Sequence, residues 1–393
     1  MMQKSLMKVI LNVAILMGFA VTGYALQGVS DDEVVLGTHT ALSGPVAGWG
    51  SSVTQAVRMR FDEVNAAGGI HGRQIKYVVE DSQYSVPVAV QKANKLINRD
   101  KVFALIASIG TPHNLAVFKM QLPKDIPSLF PYTAARAMVQ PLHPLKFSAI
   151  SSYYDQGRAG LKYFVEEKGK KNVCMLYVDT DFGAETVDAV NDQLKAMNMN
   201  LVAETSHKDS ETNFVGAITK LRKANCDLIM LGTIIRDTIM SVATARKMGW
   251  DVTMVGNTAA CNSIVSGNGG KAVEGLYAVT GIEQAYYDQV SGKGKQFFDD
   301  YNAKFGSYPG GEAQVGYIVA DLTVLALQNA GKDLTTESFI KGMEAISSHE
   351  SPFNGPTRSF SADKHEGSRE SMLLQIQDGR WLSPTGKKMI LKY

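Results

Sequence analysis

The 393-residue sequence has few cysteines and no surplus of charge of either sign. Three cysteines in a chain of this length exclude a scaffold held by many disulfides and a zinc module with four cysteine ligands. Forty Lys and Arg against 38 Asp and Glu give a net charge of +2, which argues against a protein that coats nucleic acid. The length exceeds what one hydrophobic core usually supports, so we expect two domains.

Motifs of common catalytic sites are also missing. No G-x-S-x-G nucleophile turn occurs, and the seven histidines are scattered without metal-ligand spacing. The segment Gly267–Lys271 resembles a phosphate-binding loop, but Ala272 stands where a hydroxyl that binds Mg²⁺ is needed. The sequence therefore predicts a protein that is not an enzyme and that carries no cofactor and no metal.

The N-terminus has the pattern of a targeting segment. Lys4 and Lys8 precede an apolar run from Val9 to Phe19, and Gly23-Tyr24-Ala25 supplies the small residues of a cleavage site. This order predicts a secretory signal peptide over residues 1–25, removed after Ala25. The apolar run falls short of the ~20 residues that span a membrane. We therefore expect the mature chain in the periplasm. Cleavage removes two lysines and no acidic residue, so the mature chain is formally neutral.

The rest of the sequence alternates between short Val- and Ile-rich runs and segments of helical period. Strands are expected at 34–37, 75–79 and 102–107, and the alternation restarts near Lys146. Such alternation predicts an α/β protein whose mostly parallel sheets are covered by helices. Later segments include a strand at Leu201–Glu204, a long apolar helix at Glu312–Asn329 and a last strand at Met372–Gln377. Two similar halves predict two lobes, with ligands bound at the carboxyl ends of their strands.

Three loops of the first half are rich in groups that bind anions. They are 43–50, which contains Trp49, 110–112, which contains Gly110 and Thr111, and 131–135. Helix N-termini with a nearby hydroxyl favour a carboxylate, although helix capping requires the same residue types. Three such loops at strand ends of one lobe favour a binding site.

Two segments of the second half, and the cysteines, leave alternatives open. The segment 152–157 contains Tyr153, Tyr154 and Asp155, and 179–183 contains Phe182. Paired tyrosines can cover an apolar or aromatic ligand, or they can pack the lobes together. The bonding of the three cysteines is also left open. Cys174 is interpreted as a buried packing residue in an apolar run, and Cys226 and Cys261 can pair in an oxidising compartment.

Several motifs together resemble a known family. They are LGTHTALSGPVAGWG (36–50), FDEVNAAGGIHGRQIKYVVEDSQ (61–83), SYYDQG (152–157), LYVDTDFG (176–183) and ATARKMGW (243–250). In this order they resemble the type I periplasmic binding proteins of the leucine/isoleucine/valine-binding group, the capture subunits of ABC importers. The resemblance extends from Glu33 to Trp381.

The resemblance implies a two-lobed clamshell with crossovers near residues 147, 281 and 356. Lobe 1 is expected to contain 26–147 and 282–355, and lobe 2 to contain 148–281 and 356–393. The resemblance also implies a small-molecule ligand, closure of the cleft on binding, and an inner-membrane ABC permease as partner. We expect a monomer that does not bind nucleic acid.

The resemblance also assigns the ligand-binding positions. They fall at Trp49, Gly110, Thr111, Tyr132, Thr133, Ala134 and Ala135 in lobe 1, and at Tyr153, Tyr154, Asp155, Phe182, Ile234 and Thr258 in lobe 2.

The assigned positions depart from the pattern of the family's amino-acid binders. Those proteins hold the ligand ammonium with two acidic side chains, whereas the corresponding positions here are Tyr153 and Thr258, aligned on the first crossover and VGNTAACN (255–262). Ile234 occupies a further cleft position, which is aromatic in other members of the family. A buried ammonium without a carboxylate partner is costly, so we expect a carboxylate ligand without a free α-amine, an aromatic or hydrophobic acid.

Two alternatives stay open. A shift of the alignment by one or two residues returns Asp155 to the ammonium position, which fits a branched-chain amino-acid-binding protein. The same clamshell also serves as a sensory ligand-binding module.

Overall fold

A computed structural model describes residues 26–393. The predicted signal peptide, residues 1–25, lies outside the described residues. Within 26–393, no helix is long and apolar enough to cross a membrane.

The first third of the described chain forms one sheet with three long helices. Its elements are β1 (Glu33–Thr40), α1 (Ala47–Ala66), β2 (Gln74–Asp81), α2 (Val86–Asn98), β3 (Ala104–Ile106), α3 (Thr111–Gln121), β4 (Ser128–Leu129) and β5 (Lys146–Phe147). All five strands are parallel, in the order β2-β1-β3-β4-β5. Helix α1 ends where Gly68 and Gly69 adopt φ angles of 101° and 79°, which side chains avoid. The following turn is fixed because the Asn65 side chain exchanges two 2.8 Å hydrogen bonds with the Ile75 backbone.

The remaining chain forms a second, larger sheet and covers both sheets with helices. In order, these elements are α4 (Tyr153–Glu166), β6 (Val173–Val178), α5 (Asp181–Ala196), β7 (Ala203–His207), α6 (Val215–Lys223), β8 (Leu228–Gly232), α7 (Ile235–Lys247), β9 (Thr253–Gly256), α8 (Ser263–Asn268), β10 (Tyr277–Thr280), α9 (Gly292–Phe305), α10 (Gly311–Ala330), α11 (Thr336–Glu344), β11 (Ser371–Gln377), β12 (Arg380–Leu382) and β13 (Ile390–Leu391). The sheet order is β12-β11-β10-β9-β8-β6-β7, with β13 beside β11. Strands β6 to β10 are parallel, and β11 joins them antiparallel.

The chain passes between the two sheets more than once. After β10 it returns to the first sheet, where the mostly buried α10 packs against α1. The two helices approach so closely that a Cβ at Gly316 would lie 2.7 Å from the Val53 carbonyl oxygen. Strand β11 then rejoins the second sheet. The predicted α/β architecture of two mostly parallel sheets flanked by helices is confirmed. The predicted lobe limits stay a proposal.

The predicted limits of helices and strands agree well with the structure inside the lobes and less well at the edge of the second sheet. The apolar helix predicted at Glu312–Asn329 extends one residue further at each end. The strand predicted at Leu201–Glu204 begins instead at Ala203 and ends at His207. The reason is that β7 is an edge strand with polar residues, positioned by pairing with β6 rather than by its own apolar content.

The disulfide differs from the pairing considered for the cysteines. Cys174 and Cys226 are bonded, with Cα atoms 5.9 Å apart, whereas Cys261 is free and buried. Strand β6 carries Cys174, and its neighbour β8 begins two residues after Cys226, so the pairing of Val173 with Leu228 brings the two thiols together. The interpretation of Cys174 as simple packing and the pairing of Cys226 with Cys261 are therefore wrong.

A buried arginine connects the three segments that join the sheets. The guanidinium of Arg358 donates to the Ala149 carbonyl (3.0 Å), to the Glu283 carboxylate (2.6 Å) and to the Pro356 carbonyl (3.0 Å). Both members of the ion pair with Glu283 are fully buried. Ala149, Glu283 and Pro356 lie one in each crossing segment, so one side chain holds all three in register.

We expect one free thiol per chain in denaturant without reductant and three after reduction. The free thiol should be Cys261, identified by alkylation and peptide mass spectrometry. Because the disulfide closes a loop with a sequence separation of 52 residues, its reduction should lower the free energy of unfolding by ~4 kcal/mol on the chain-entropy model. Alkylation of Cys174 or Cys226 without reductant would contradict this pairing.

Removal of one partner of the Arg358–Glu283 pair should be costly because the other charge stays buried. We expect Glu283→Gln and Arg358→Met each to lower the free energy of unfolding by ~3–5 kcal/mol. The double variant should lose less than the sum of both, since it leaves no unpaired charge. Urea unfolding followed by circular dichroism measures all three. Lys341→Met, which breaks the exposed pair with Glu337, is the control and should have little effect; additive losses would argue against direct coupling.

Candidate functional site

One cavity lies where loops at the strand ends of the two sheets meet. Its thirteen lining residues include no charged side chain: Val46, Trp49, Tyr84, Ile109, Gly110, Thr111, Tyr132, Thr133, Tyr153, Phe182, Ile234, Ile235 and Ala259. We call it the inner cavity. Its volume is only about 30 Å³, so an organic ligand can enter only if its walls part.

The first-lobe wall of the inner cavity carries hydroxyl groups at a helix N-terminus. Gly110, with φ 97°, turns the chain sharply before α3, which begins at Thr111. The hydroxyls of Thr111 and Thr133 lie 2.7 Å apart, and both residues are buried. The N–H groups of a first helical turn have no partner within the helix and attract negative charge. This wall therefore suits a carboxylate.

Two aromatic residues of the same wall have polar atoms without partners. The rings of Trp49 and Tyr132 pack edge to face with centroids 4.8 Å apart. The Trp49 Nε1 and the Tyr132 hydroxyl are buried and make no hydrogen bond to any described residue. Buried donors normally have an acceptor, so both groups remain able to donate a hydrogen bond.

The second-lobe wall is apolar apart from one phenol. The rings of Tyr153 and Phe182 meet edge to face at 4.8 Å, and Ile234 and Ile235 lie at the start of α7. Burial raises the pKa of Tyr153 to about 12, although hydrogen bonds from Thr133 and Ala134 oppose the shift. Tyr153 therefore stays protonated at neutral pH and can donate a hydrogen bond.

Direct contacts hold the two lobes together beside the inner cavity. The backbone N–H of Arg136 donates to both oxygens of Glu185 at 2.8 and 3.0 Å. Ser263, the first residue of α8, donates to the buried Glu312 of α10. These contacts join the first-sheet side to the second-sheet side, so the structure has the lobes closed on each other.

Most of the predicted site residues meet at the inner cavity. Its lining contains eight of them: Trp49, Gly110, Thr111, Tyr132, Thr133, Tyr153, Phe182 and Ile234. Ala134 and Ala135 lie just beyond the lining, and the Ala134 carbonyl accepts the Tyr153 N–H at 2.8 Å. Ligand contact by any of these residues stays a prediction.

The other three predicted residues lie elsewhere. Tyr154 and Asp155 line a different cavity of about 510 Å³, together with Arg136 and Tyr393. The Asp155 carboxylate accepts the Tyr393 hydroxyl there. The buried Thr258 donates its hydroxyl to Gln156 at 2.9 Å and accepts the N–H of Gly281 at 3.2 Å. Their placement away from the inner cavity follows from α4, which turns successive side chains to different faces, and from the bonds of Thr258 to the second crossing segment.

Five lining residues were not predicted: Val46, Tyr84, Ile109, Ile235 and Ala259. Tyr84 follows the carboxyl end of β2, so the rule that placed the other loops would have found it. The remaining four are small or aliphatic, which gives no signal in a sequence. Among residues 26–393, no group of three or more His, Cys, Asp or Glu side chains is placed to hold a metal ion.

Comparison with known proteins gives a family match and several similar proteins. The family model described as periplasmic binding protein matches residues 33–380. The leucine-, isoleucine-, valine-, threonine- and alanine-binding protein of Pseudomonas aeruginosa is 22% identical over 285 residues, which are 72% of this chain and 75% of that protein.

Several solved structures have a fold similar to that of this chain. A fatty acid ABC transporter substrate-binding protein from Thermomonospora curvata superposes with a TM-score of 0.81 at 23% identity, covering 93% of each chain. A solute-binding protein of an ABC transporter from R. palustris, solved in complex with benzoate, gives a TM-score of 0.79 at 18% identity, covering 91% of this chain and 96% of that one.

Glu185 should make stability depend on pH. Burial raises its pKa to about 7 from a reference of 4.5, while hydrogen bonds from Arg136 oppose the shift. The folded chain therefore binds this proton more tightly than the unfolded chain, so the contribution of Glu185 to stability falls as pH rises from about 4.5 to 7.

The test compares wild type with Glu185→Gln, which keeps an oxygen acceptor but does not titrate. Between pH 6 and pH 8, wild type should lose about 1 kcal/mol of unfolding free energy relative to the variant. Other titrations, such as that of the buried His39, cancel in this difference. Parallel pH profiles of the two proteins would show that Glu185 is ionised throughout.

Proposed function

This chain belongs to the periplasmic binding protein family, as its motifs predicted, and we propose that it captures a hydrophobic or aromatic carboxylic acid without a free α-amine. The acid is then delivered to an ABC permease in the inner membrane. The Pseudomonas aeruginosa relative is named as a binding protein, not as an enzyme. The missing catalytic motifs agree with a binding role.

The observation that carries this proposal is the uncharged lining of the inner cavity. An ammonium group buried there would meet no carboxylate, at a cost of several kcal/mol. The Glu185 carboxylate directs both of its oxygens to the Arg136 N–H, so it is already engaged. A free amino acid is therefore a poor ligand for the closed cleft.

The first-lobe wall supplies the groups that a carboxylate needs. The hydroxyls of Thr111 and Thr133, which bond to each other in this structure, can turn to donate to a carboxylate beside the N-terminus of α3. Trp49 and Tyr132 offer two donors that lack partners among the described residues. Hydrogen bonds to a charged acceptor are stronger than those between neutral groups. Several donors together replace the water that a carboxylate loses, without a basic side chain.

The second-lobe wall suits the apolar body of such an acid. Phe182, Ile234 and Ile235 present ring and aliphatic surface, while Tyr153 adds a neutral donor. Closure of this wall over the ligand buries apolar area, which favours the closed form. The closed form, with its contacts between the lobes, is the form that we propose docks on the permease.

A branched-chain amino acid is the second candidate. It is favoured by the name of the Pseudomonas aeruginosa relative, which binds leucine, isoleucine and valine. For this candidate to hold here, an acidic group from outside the inner cavity would have to move to the ligand amine.

Matched ligand pairs separate the two candidates. Calorimetry on protein that has been unfolded, dialysed and refolded should show 3-phenylpropanoate binding at least ~100-fold more tightly than phenylalanine, since ~3 kcal/mol corresponds to that ratio. The pair 4-methylpentanoate and leucine should show the same order. Tight binding of leucine or phenylalanine, with no binding of the deaminated partners, would overturn the proposal.

Removal of the threonine hydroxyls should weaken the binding of acids. Thr111→Val and Thr133→Val keep the side-chain shape and each should weaken 3-phenylpropanoate binding ~10- to 100-fold, because each removes one hydrogen bond to a charged group. Thr244→Val, on α7 and outside the lining of the inner cavity, is the matched control. Unchanged affinity in both site variants would place the carboxylate elsewhere.

A further inference from the structure

Tyr84 lies between two cavities of the cleft between the lobes. It lines the inner cavity, and it also lines a second cavity of about 490 Å³, the outer chamber. Phe182 and Ile234 are the two other residues that line both. The outer chamber is bounded by residues of both lobes. Val86, Pro87, Pro112 and Val178 give it apolar surface, and Asp181 and Asp209 are the carboxylates in its lining.

The backbone holds Tyr84 in an unusual conformation. Gln83 and Tyr84 have φ angles of 55° and 54°, in the left-handed region that residues other than glycine rarely occupy. The loop is fixed by Asp81, whose carboxylate accepts the backbone N–H groups of Leu42 and Gln83 at 2.9 and 2.8 Å. A strained conformation that the surroundings enforce is typical of functional positions.

Side-chain contacts then fix the direction of the ring. The Tyr84 ring packs against the imidazole of His113, with centroids 4.5 Å apart and planes tilted by 32°. His113 is itself buried, at 2% exposure, so its imidazole restricts the movement of the Tyr84 ring. Tyr84 from the first lobe and Tyr153 from the second both line the inner cavity, so the Tyr84 ring forms part of its wall.

We propose that the Tyr84 ring separates the inner cavity from the outer chamber and thereby sets the length of the acid that the protein accepts. The inference rests on the proposed function, since it takes the carboxylate to lie at the Thr111–Thr133 wall. A short acid stays on the inner side of the ring. The alkyl chain of a longer acid must displace the ring, and the loop and His113 resist this displacement. Without the ring, the alkyl chain can continue along the apolar surface of the outer chamber.

Straight-chain acids from four to twelve carbons test this inference by calorimetry on refolded protein. Wild-type affinity should rise with length, as apolar burial grows, and then fall once the chain reaches Tyr84. In Tyr84→Ala the fall should disappear, so that decanoate binds at least tenfold more tightly than to wild type. Tyr84→Phe is the matched control and should keep the wild-type length limit, because it keeps the ring. Tyr84→Leu provides a smaller truncation should the alanine variant unfold.

The outcomes distinguish this inference from the proposed function. Acids that bind with the same length dependence in wild type, Tyr84→Ala and Tyr84→Leu would overturn the role of Tyr84 and leave the proposed function standing. A loss of the limit in Tyr84→Phe would assign it to the hydroxyl rather than to the ring. If no acid of any length binds either protein, the proposed function and this inference both fail.

Discussion

The arrangement of the two lobes depends on the buried guanidinium of Arg358. Three segments cross between the sheets, and hydrogen bonds from this one side chain reach a backbone carbonyl or carboxylate of each. The local geometry leaves little freedom, since a Cβ at Gly355 would lie 2.4 Å from the Glu283 carboxylate. Because a charge buried without its partner is costly, the crossings are held in one register. The inner cavity has a defined shape only because the lobes that form its walls meet at this fixed junction.

The chemistry of the cavity follows from what each lobe brings to it. The first lobe brings hydroxyls, two unpartnered donors and a helix N-terminus, and the second brings rings and aliphatic side chains. A wall of neutral donors facing an apolar wall suits a molecule with one anionic end and one apolar end. It is unsuited to a zwitterion, because nothing in the lining balances a positive charge. In the proposed function, specificity arises as much from the groups that are missing as from those that are present.

Much of this could be predicted from the sequence because the signals are local. Alternating apolar runs predicted the sheets, and loops after strands predicted the segments that carry Thr111, Thr133 and Trp49 as parts of one site, whereas Tyr153 was assigned by the family resemblance. Features that depend on tertiary neighbours were lost: the bond of Cys174 to Cys226 requires β6 beside β8, and the edge strand β7 is positioned by its partner. Thr258 and Asp155 illustrate the same limit, since alignment gives a position along the chain but not the direction of a side chain. Tyr84 was missed although it follows a strand end, because its importance lies in a left-handed backbone that a tyrosine rarely adopts.

A crystal structure of the refolded protein with 3-phenylpropanoate tests the central claim, which is that an uncharged cavity holds the carboxylate through neutral donors. The account predicts carboxylate oxygens within hydrogen-bond distance of the Thr111 and Thr133 hydroxyls, with the phenyl ring against Phe182 and Ile234. It also predicts that Trp49 Nε1 or the Tyr132 hydroxyl donates to the ligand. A carboxylate paired with an arginine or lysine, for example in the cavity lined by Arg136 and Arg369, would contradict it.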